Sequence, residues 1–229
     1  MKNNVILLRK IRSFMIRRRK LTKKQQIAIN NYWLEIGIEF KFELINFTAL
    51  FKSNKPVIIE VGFGMGNSLV AMAQDNPDQN FLGVEVYLPG VCNCIAEVKT
   101  AELRNLRIIY HDITEVLENM IPDNSIHKVQ LFCPDPWPKT RHHKRRIINL
   151  PFINLVNKKL NSHGSIFHIV TDCENYAHYI IKLINSIDNY RNQSSKISKN
   201  RPITKFEQRG KILGHKIWDL IFEKNNEHK

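Results

Sequence analysis

Short apolar runs alternate with longer amphipathic segments along most of this chain. The runs are rich in Val, Ile and Leu, as parallel strands buried on both faces are, and strands are predicted at 57–61, 81–86, 106–110, 128–133, 164–170 and 217–222. Helices are predicted at 23–36, 69–74, 89–103, 147–160 and 174–187. This alternation indicates one α/β domain. The last strand is predicted at a sheet edge, 40–55 as a connection, and 190–201 as a mobile polar loop.

The run 57–61 ends in a turn that contains three glycines at alternate positions, Gly62, Gly64 and Gly66. Glycine has no side chain, so these positions tolerate positive φ and let a ligand lie against backbone amides. Asn67 and Ser68 follow and can cap the helix 69–74. The sequence therefore predicts a nucleotide site at the carboxyl end of this strand.

The spacing of these glycines narrows the kind of nucleotide. The dinucleotide fingerprint has its third glycine three residues after the second, whereas Asn67 stands there and Gly66 comes one residue early. This disfavours a nicotinamide oxidoreductase. The turn resembles that of class I methyltransferases, which bind S-adenosylmethionine. That resemblance implies a Rossmann-like class I methyltransferase fold: a mostly parallel sheet with an antiparallel C-terminal strand and helices on both faces.

Each of the first three predicted strands has a carboxylate in it or shortly after it. Glu60 lies inside the first strand, where an unpaired charge would be costly, and by resemblance it helps hold the methionine end of the cofactor. Glu85 lies at the carboxyl end of the next strand, where an acid in Rossmann-type sites accepts hydrogen bonds from both ribose hydroxyls. Asp112 follows the third strand, and contact with adenine or capping of the next helix explains it equally well.

A proline-rich loop follows the strand 128–133. Three prolines within five residues restrict φ, so this loop is predicted to be stiff and suited to holding a flat base against a cofactor. Asp135, Pro136 and Trp137 resemble the Asp-Pro-Pro-aromatic loop with which amine-directed nucleic-acid methylases grip their base. Methylation of an exocyclic amine in RNA is therefore one alternative activity.

Positive charge is concentrated in two segments. The net charge is +14, and the first 24 residues contain ten Lys or Arg but no Asp or Glu. Residues 1–21 are predicted to be a flexible basic arm, and 22–229 a single domain. A second run, 139–146, holds five Lys or Arg and two His, and cations at a helix start are unfavourable without an anion nearby. Both segments predict a polyanionic partner such as nucleic acid.

Other classes of partner are disfavoured. The apolar segment 5–8 is too short to span a bilayer or to form a signal peptide, so no membrane partner and a cytoplasmic location are expected. A mitochondrial presequence, which would also be rich in Arg and free of acids, ranks below a nucleic-acid arm. The four cysteines have the spacing of neither a zinc site nor a disulfide framework, so no metal is expected.

Several longer stretches resemble the bacterial tRNA (guanine-N7)-methyltransferase family. They are EVGFGMGNSL from Glu60, GVEVYLPGV from Gly83, FCPDPWPKTRHHKRR from Phe132, TDCENYA from Thr171 and TKFEQRGKILGHKIWDLIF from Thr204. The arm RSFMIRRRKLTKKQQ from Arg12 is also similar. The resemblance runs from about residue 12 to 223, and the blocks PDPWPK and TKFEQRG are its most specific parts.

The resemblance implies the roles of individual residues. For S-adenosylmethionine it implies contacts by the three glycines and by Glu60, Glu85, Asp112 and Asp135. For the substrate it implies contacts by Lys139, Asp172, Thr204, Lys205, Phe206 and Glu207. For RNA it implies contacts by Arg141, His142, His143, Lys144, Arg145 and Arg146.

The activity implied is methylation at N7 of a variable-loop guanosine in tRNA, giving 7-methylguanosine. Guanine N7 has an exposed lone pair and no proton at neutral pH, so no general base is needed. Asp135 is the candidate catalytic residue, because a carboxylate there can orient the base and stabilise charge that develops on the ring. A monomer is preferred over a homodimer. A non-catalytic, nucleotide-responsive RNA-binding protein is the second alternative.

Overall fold

The computed structural model describes residues 11–15, 20–162, 164–194 and 201–225. The strands in these ranges are β1 (Gly37–Ile38), β2 (Val57–Val61), β3 (Asn80–Glu85), β4 (Leu106–Tyr110), β5 (Lys128–Phe132), β6 (Ile166–Thr171), β7 (Tyr190–Asn192) and β8 (Trp218–Lys224). They form one sheet in the spatial order β1-β4-β3-β2-β5-β6-β8-β7. Neighbours from β1 to β6 are parallel, whereas β8 is antiparallel to β6 and β7. The predicted fold class is confirmed.

Helices cover both faces of this sheet. They are α1 (Lys23–Ile36), α2 (Phe47–Phe51), α3 (Asn67–Asp75), α4 (Leu88–Thr100), α5 (Ile113–Asn119), α6 (Leu150–Lys159), α7 (Glu174–Ile184), α8 (Lys205–Ile212) and a 3-10 helix (Thr140–Arg145). The predicted strands up to β6 and the predicted helices begin and end within about three residues of those observed. Helix α2 lies inside 40–55, which was predicted to be a connection.

Alternate residues of β2 face two separate hydrophobic layers. All five of its residues are buried. Ile59 belongs to a buried cluster shared with α5, α6 and α7, whereas Ile58 belongs to one shared with α1, α3 and α4. Burial on both faces explains why this strand is apolar at every position but Glu60 rather than alternating.

Helix α1 begins where its cap predicts. Gln25 N donates to Thr22 Oγ1 at 3.3 Å, and Thr22 N donates to Gln25 Oε1 at 3.0 Å, which is a capping box. Gln25 Nε2 also donates to the carbonyl of Pro89 at 2.9 Å. This bond ties α1 to the start of α4.

Predictions for the C-terminal region are partly wrong. The strand predicted at 217–222 does not lie at an edge, because β7 pairs with the outer side of β8. Strand β7 falls within 190–201, which was predicted to be a mobile loop. Residues 195–200 of that predicted loop lie outside the described ranges. Helix α8 was not predicted, since its sequence KFEQRGKI is mostly polar and contains a glycine.

The predicted cap of α3 is also wrong. The helix begins at Asn67, and its N-cap is Gly66, with φ of 80° and no side-chain cap. The Ser68 hydroxyl instead donates to Glu60 Oε1 at 3.4 Å. The first N–H groups of α3 are therefore not occupied by a capping side chain.

Strands β2 and β5 lie side by side at the centre of the sheet, with Glu60 in register with Gln130. The chain continues from β2 to β3 and β4 on one side, and from β5 to β6 on the other. Doubly wound sheets bind ligands at such a reversal, outside the carboxyl ends of the strands. The glycine turn (62–66) follows β2 and the proline loop (134–138) follows β5, so both loops meet at this point.

Close packing presses α4 against the glycine turn. A Cβ added to Gly90 would lie 1.9 Å from the Gly64 carbonyl oxygen, and one on Gly66 would lie 2.5 Å from Cys94 Sγ. Neither position has room for a side chain. The shape of the turn therefore depends on the contact with α4.

Candidate active site

A cleft of about 920 Å³ lies at the carboxyl ends of β2, β3 and β5. Its walls come from the glycine turn, the proline loop, residues 13–15 of the arm and the cleft segment, defined as residues 202–206. Ligand pockets in proteins commonly have volumes of roughly 300–1,000 Å³. The cleft has room for a nucleoside cofactor and part of a second substrate.

Most of the predicted cofactor and substrate residues line this cleft, namely Glu60, Gly62, Gly64, Gly66, Glu85, Asp135, Thr204, Lys205 and Phe206. The others lie beyond its wall, namely Asp112, Lys139, Asp172, Glu207 and the run 141–146. Glu85 and Asp135 open onto the same cleft, as a shared site requires.

The glycine turn presents its backbone to the cleft. Gly62, Gly64 and Gly66 have φ of 69°, 59° and 80°, which glycine adopts without strain. A Cβ on Gly62 or Gly64 would meet no atom within 4 Å, so the space beside them is open. Together with the uncapped first turn of α3, this cradle fits the polar end of a nucleoside cofactor.

Glu60 is a buried carboxyl beside the glycine turn, with 2% of its surface exposed. Gln130 Nε2 donates to its Oε2 at 3.1 Å, and Ser68 donates to its Oε1. Burial raises the pKa of Glu60 to about 7, against the lowering effect of these two bonds. A carboxyl with a pKa near neutrality can ionise when a cationic group binds beside it.

Glu85 holds the glycine turn against the end of β3. Its Oε2 accepts from Gly64 N at 2.7 Å, and its Oε1 accepts from Val86 N at 2.6 Å and Tyr87 N at 2.9 Å. Burial raises the pKa of this carboxyl, and the nearby charge of Asp135 adds to the effect. Oε1 uses both of its lone pairs, whereas Oε2 keeps one for a ligand hydroxyl.

Two further acids have partners within the chain. Asp112 is the N-cap of α5, since its Oδ1 accepts from Thr114 N at 2.9 Å. The capping interpretation is thus confirmed, and a contact with adenine stays a prediction. Asp172 follows β6. Its Oδ2 lies 3.2 Å from His215 Nδ1, and the same carboxylate lies next to Gly210 of α8. Asp172 therefore lies against the C-terminal half of α8.

The backbone next to and within the proline loop is strained. Cys133 and Trp137 have φ of 51° and 45°, which is costly for residues other than glycine. Asp135 lies between them. Arg146 supports the loop, because its Nε donates to the carbonyl of Pro136 at 2.9 Å. The stiffness predicted from the prolines is therefore reinforced by a side chain from outside the loop.

Arg146 differs from the rest of the basic run. It is 3% exposed, its Nη2 donates to Asn175 Oδ1 at 3.0 Å, and its guanidinium carbon lies 4.7 Å from the ring centroid of Tyr176. Arg141 and Lys144 are exposed. The placement of Arg146 favours support of the proline loop over the direct RNA contact that was predicted for it.

The N-terminal residues contact the proline loop and the 3-10 helix. Trp137 Nε1 donates to the carbonyl of Ser13 at 3.0 Å, and Arg145 Nε donates to that of Arg12 at 3.2 Å. The guanidinium carbon of Arg145 lies 4.1 Å from the Trp137 ring centroid. Residues 12–15 of the arm thus approach the cleft beside the second basic run. Residues 1–10 and 16–19 lie outside the described ranges, so the flexibility of the arm stays a prediction.

Residues 204–207 do not all face the same way. Thr204, Lys205 and Phe206 reach the cleft, whereas Glu207 is 2% exposed and points inward. Glu207 N donates to Thr204 Oγ1 at 3.2 Å, and Thr204 N donates to Glu207 Oε1 at 3.1 Å, forming a capping box. Glu207 therefore shapes the start of α8.

Sequence reasoning missed several residues that hold these groups in place. Gln130 could have been found, because a polar residue inside an apolar strand next to the strand of Glu60 suggests pairing. Arg201, which bonds Glu207, had no local signal and was placed in the predicted loop. Across the described ranges, no helix is long and apolar enough to cross a bilayer, and no group of His, Cys, Asp or Glu could hold a metal ion.

Comparisons with known proteins place the chain among methyltransferases. A family model described as "Putative methyltransferase" matches residues 54–220. The tRNA (guanine-N(7)-)-methyltransferase of Serratia proteamaculans is 53% identical over 222 residues, covering 95% of this chain and 92% of that protein. The protein of the same name from Escherichia coli K12 is 51% identical, covering 98% of this chain and 99% of that protein.

Solved structures share the architecture at low sequence identity. The 16S rRNA methyltransferase KamB has a TM-score of 0.55 at 11% identity, covering 80% of this chain and 95% of that one. The antibiotic-resistance methyltransferase Kmr has a TM-score of 0.53 at 12% identity, covering 82% and 98%. At such identities the likeness shows the fold alone.

The sheet order, the glycine turn at the strand reversal and the acid at the end of β3 define a class I methyltransferase. Within that class, the relatives that match over nearly the whole chain identify the family. The chain belongs to the tRNA (guanine-N7)-methyltransferase family.

We predict that Glu60 makes the stability of the ligand-free protein depend on pH. With its pKa raised from 4.5 to about 7, its favourable contribution is fully present below about pH 4.5 and is lost as pH rises through 7. Glu60→Gln should therefore increase the free energy of unfolding by about 3 kcal/mol at pH 8 and change it little at pH 4.5. Urea unfolding at both pH values measures this difference.

Glu43→Gln is the matched control, because Glu43 is exposed. Its effect should be small at both pH values. An equal effect of Glu60→Gln at pH 4.5 and pH 8 would show that the buried carboxyl does not have a raised pKa.

Proposed function

We propose that this enzyme transfers a methyl group from S-adenosylmethionine to N7 of a guanosine in tRNA, the variable-loop guanosine by resemblance. The observation that carries the proposal is the single cleft onto which both Glu85 and Asp135 open. The glycine turn and the proline loop lie side by side at one strand reversal, which supports assigning the cofactor to the first loop and the base to the second. The 3-10 helix and residues 12–15 of the arm lie next to this cleft. Cytoplasmic location and monomeric state stay predictions.

The cofactor side of the cleft is built from the glycine turn and two acids. Glu60 would receive the amino group of the cofactor, and Oε2 of Glu85 has a lone pair for a ribose hydroxyl. The backbone of Gly62 and Gly64 leaves open space where a side chain would block the ligand. When bound, S-adenosylmethionine supplies an electrophilic methyl group on a positively charged sulfur.

The base side of the cleft requires orientation rather than proton transfer. Guanine N7 already has a free lone pair, so the protein has to align it with the methyl group at contact distance. Asp135 stands in a loop stiffened by prolines and supported by Arg146. Its carboxylate would orient the guanine through hydrogen bonds and stabilise the positive charge that the ring acquires. Phe206, 63% exposed at the cleft, offers a ring on which a base can stack.

We predict that Asp135 contributes to the chemical step. Asp135→Asn keeps hydrogen-bonding capacity but removes the charge, and Asp135→Ala removes both. Single-turnover methyl transfer to tRNA should fall at least about tenfold in Asp135→Asn, corresponding to about 1.4 kcal/mol, and further in Asp135→Ala. Rates close to wild type in both variants would exclude Asp135 from the mechanism.

Arg145 and Arg146 form a matched pair for testing RNA contact, because they are adjacent and carry the same charge. Arg145→Gln should weaken tRNA binding and reduce the slope of log K against log salt by about one, since one phosphate contact is lost. Arg146→Gln should leave the slope unchanged and lower the thermal midpoint, because the proline loop loses its support. Equal changes of slope in both variants would contradict this division.

The direct test of the proposed function is the position of the transferred methyl group. Unmodified tRNA is incubated with the protein and S-adenosylmethionine, and the product nucleosides are mapped by mass spectrometry. The proposal expects 7-methylguanosine in the variable loop. Methylation of an exocyclic amine, or binding of tRNA without transfer, would replace the proposal with one of the two alternatives.

A further inference from the structure

Arg201 lies at the centre of a buried ion network behind the cleft segment. Its side chain is 9% exposed. Nη1 and Nη2 donate to Oε1 and Oε2 of Glu207 at 2.7 and 2.8 Å, and Nη2 also donates to Asp219 Oδ2 at 2.9 Å. Asp219 Oδ1 in turn lies 2.6 Å from His168 Nε2. Arg201 therefore joins α8 to strand β8, which pairs with β6.

Arg201 favours the charged form of both carboxylates of this network. Burial opposes ionisation of Glu207, but the bonds from Arg201 keep the pKa of Glu207 below its ordinary value. Burial likewise opposes ionisation of Asp219, whose pKa is lowered to about 2 by His168 and Arg201. Removing the guanidinium would leave the buried Glu207 and the half-buried Asp219 without their shared cation.

The network also reaches the base side of the cleft. The guanidinium carbon of Arg201 lies 4.9 Å from the ring centroid of Phe132, the last residue of β5 before the proline loop. Thr204 forms the capping box of α8 with Glu207, and its Oγ1 lies 3.8 Å from Cys133 Sγ. One side chain thus connects the start of α8 with the strand that supplies the proline loop.

We propose that Arg201 is a positioning residue for the nucleic-acid substrate, holding the cleft segment so that Thr204 and Phe206 face the base. The inference rests on the proposed function, in that the base is a guanine of tRNA. Arg201 itself does not line the cleft, so its effect passes through Glu207 and the capping box of α8. The planar guanidinium bridges two carboxylates with a fixed geometry that a lysine ammonium cannot reproduce.

A general loss of stability is the competing explanation, and the structure separates the two. Strand β8 lies inside the sheet, and residues 220–222 are buried in pairings that do not involve Arg201. The glycine turn lies on the other side of the cleft, and the charge of Arg201 has the smallest of the effects that shift the pKa of Glu60 beside that turn. A positioning role therefore predicts a defect in the use of tRNA with normal binding of the cofactor.

The test compares wild type, Arg201→Lys, Arg201→Gln and the control Arg191→Gln, which removes an exposed charge from the neighbouring strand β7. Three quantities are measured: kcat/KM for tRNA, the Kd of S-adenosylhomocysteine, and hydrogen exchange of residues 205–212. Arg201→Gln should lower kcat/KM at least tenfold, leave Kd within twofold and increase exchange in α8. Arg201→Lys keeps the charge, so it should have a near-normal thermal midpoint and still a reduced kcat/KM.

The proposal is overturned if kcat/KM is unchanged in Arg201→Gln. It is also overturned if kcat/KM and the thermal midpoint fall while the Kd of S-adenosylhomocysteine rises, in both variants and with Arg191→Gln normal, since that is the pattern of a structural role. Failure of the proposed function would be distinct, because the wild type itself would not methylate tRNA. In that case, hydrogen exchange of residues 205–212 in Arg201→Gln would be the measurement that tests whether Arg201 holds α8 in place.

Discussion

The parallel pairing of β2 with β5 is the constraint on which the rest of the site depends. These strands are neighbours in space but are separated in sequence by β3 and β4, so the chain reverses its direction of winding between them. Both strands end at the same edge of the sheet. The glycine turn and the proline loop are brought together by this pairing alone, although more than sixty residues lie between them.

The two loops are kept in shape by different means. The glycine turn is held by contacts to the backbone of Gly64. Gly90 packs against the Gly64 carbonyl, and the Gly64 amide donates to the Glu85 carboxylate. The proline loop carries strain at Trp137 and is supported by Arg146. A turn without side chains suits a ligand that lies along the backbone, and a stiff loop suits a base that must be aligned.

Local patterns predicted what is determined locally. The strands were apparent because a buried parallel strand is mostly apolar. The two loops were apparent because proline restricts φ and glycine permits positive φ. The contacts that tune the site are long-range, and no local pattern encodes them. Glu60 meets Gln130 only after the sheet forms, and Arg201 meets Asp219 only after β8 enters between β6 and β7. The cap of α3 was predicted wrongly because a glycine replaces the expected polar side chain.

A crystal structure of this chain with S-adenosylhomocysteine tests the central claim most directly, because the sulfur atom marks where the methyl group would be. We predict that the amino-acid end lies near Glu60, that a ribose hydroxyl donates a hydrogen bond to Glu85 Oε2, and that the sulfur faces Asp135. A ligand bound elsewhere, or with its sulfur directed away from the proline loop, would contradict the claim that the two loops form one active site.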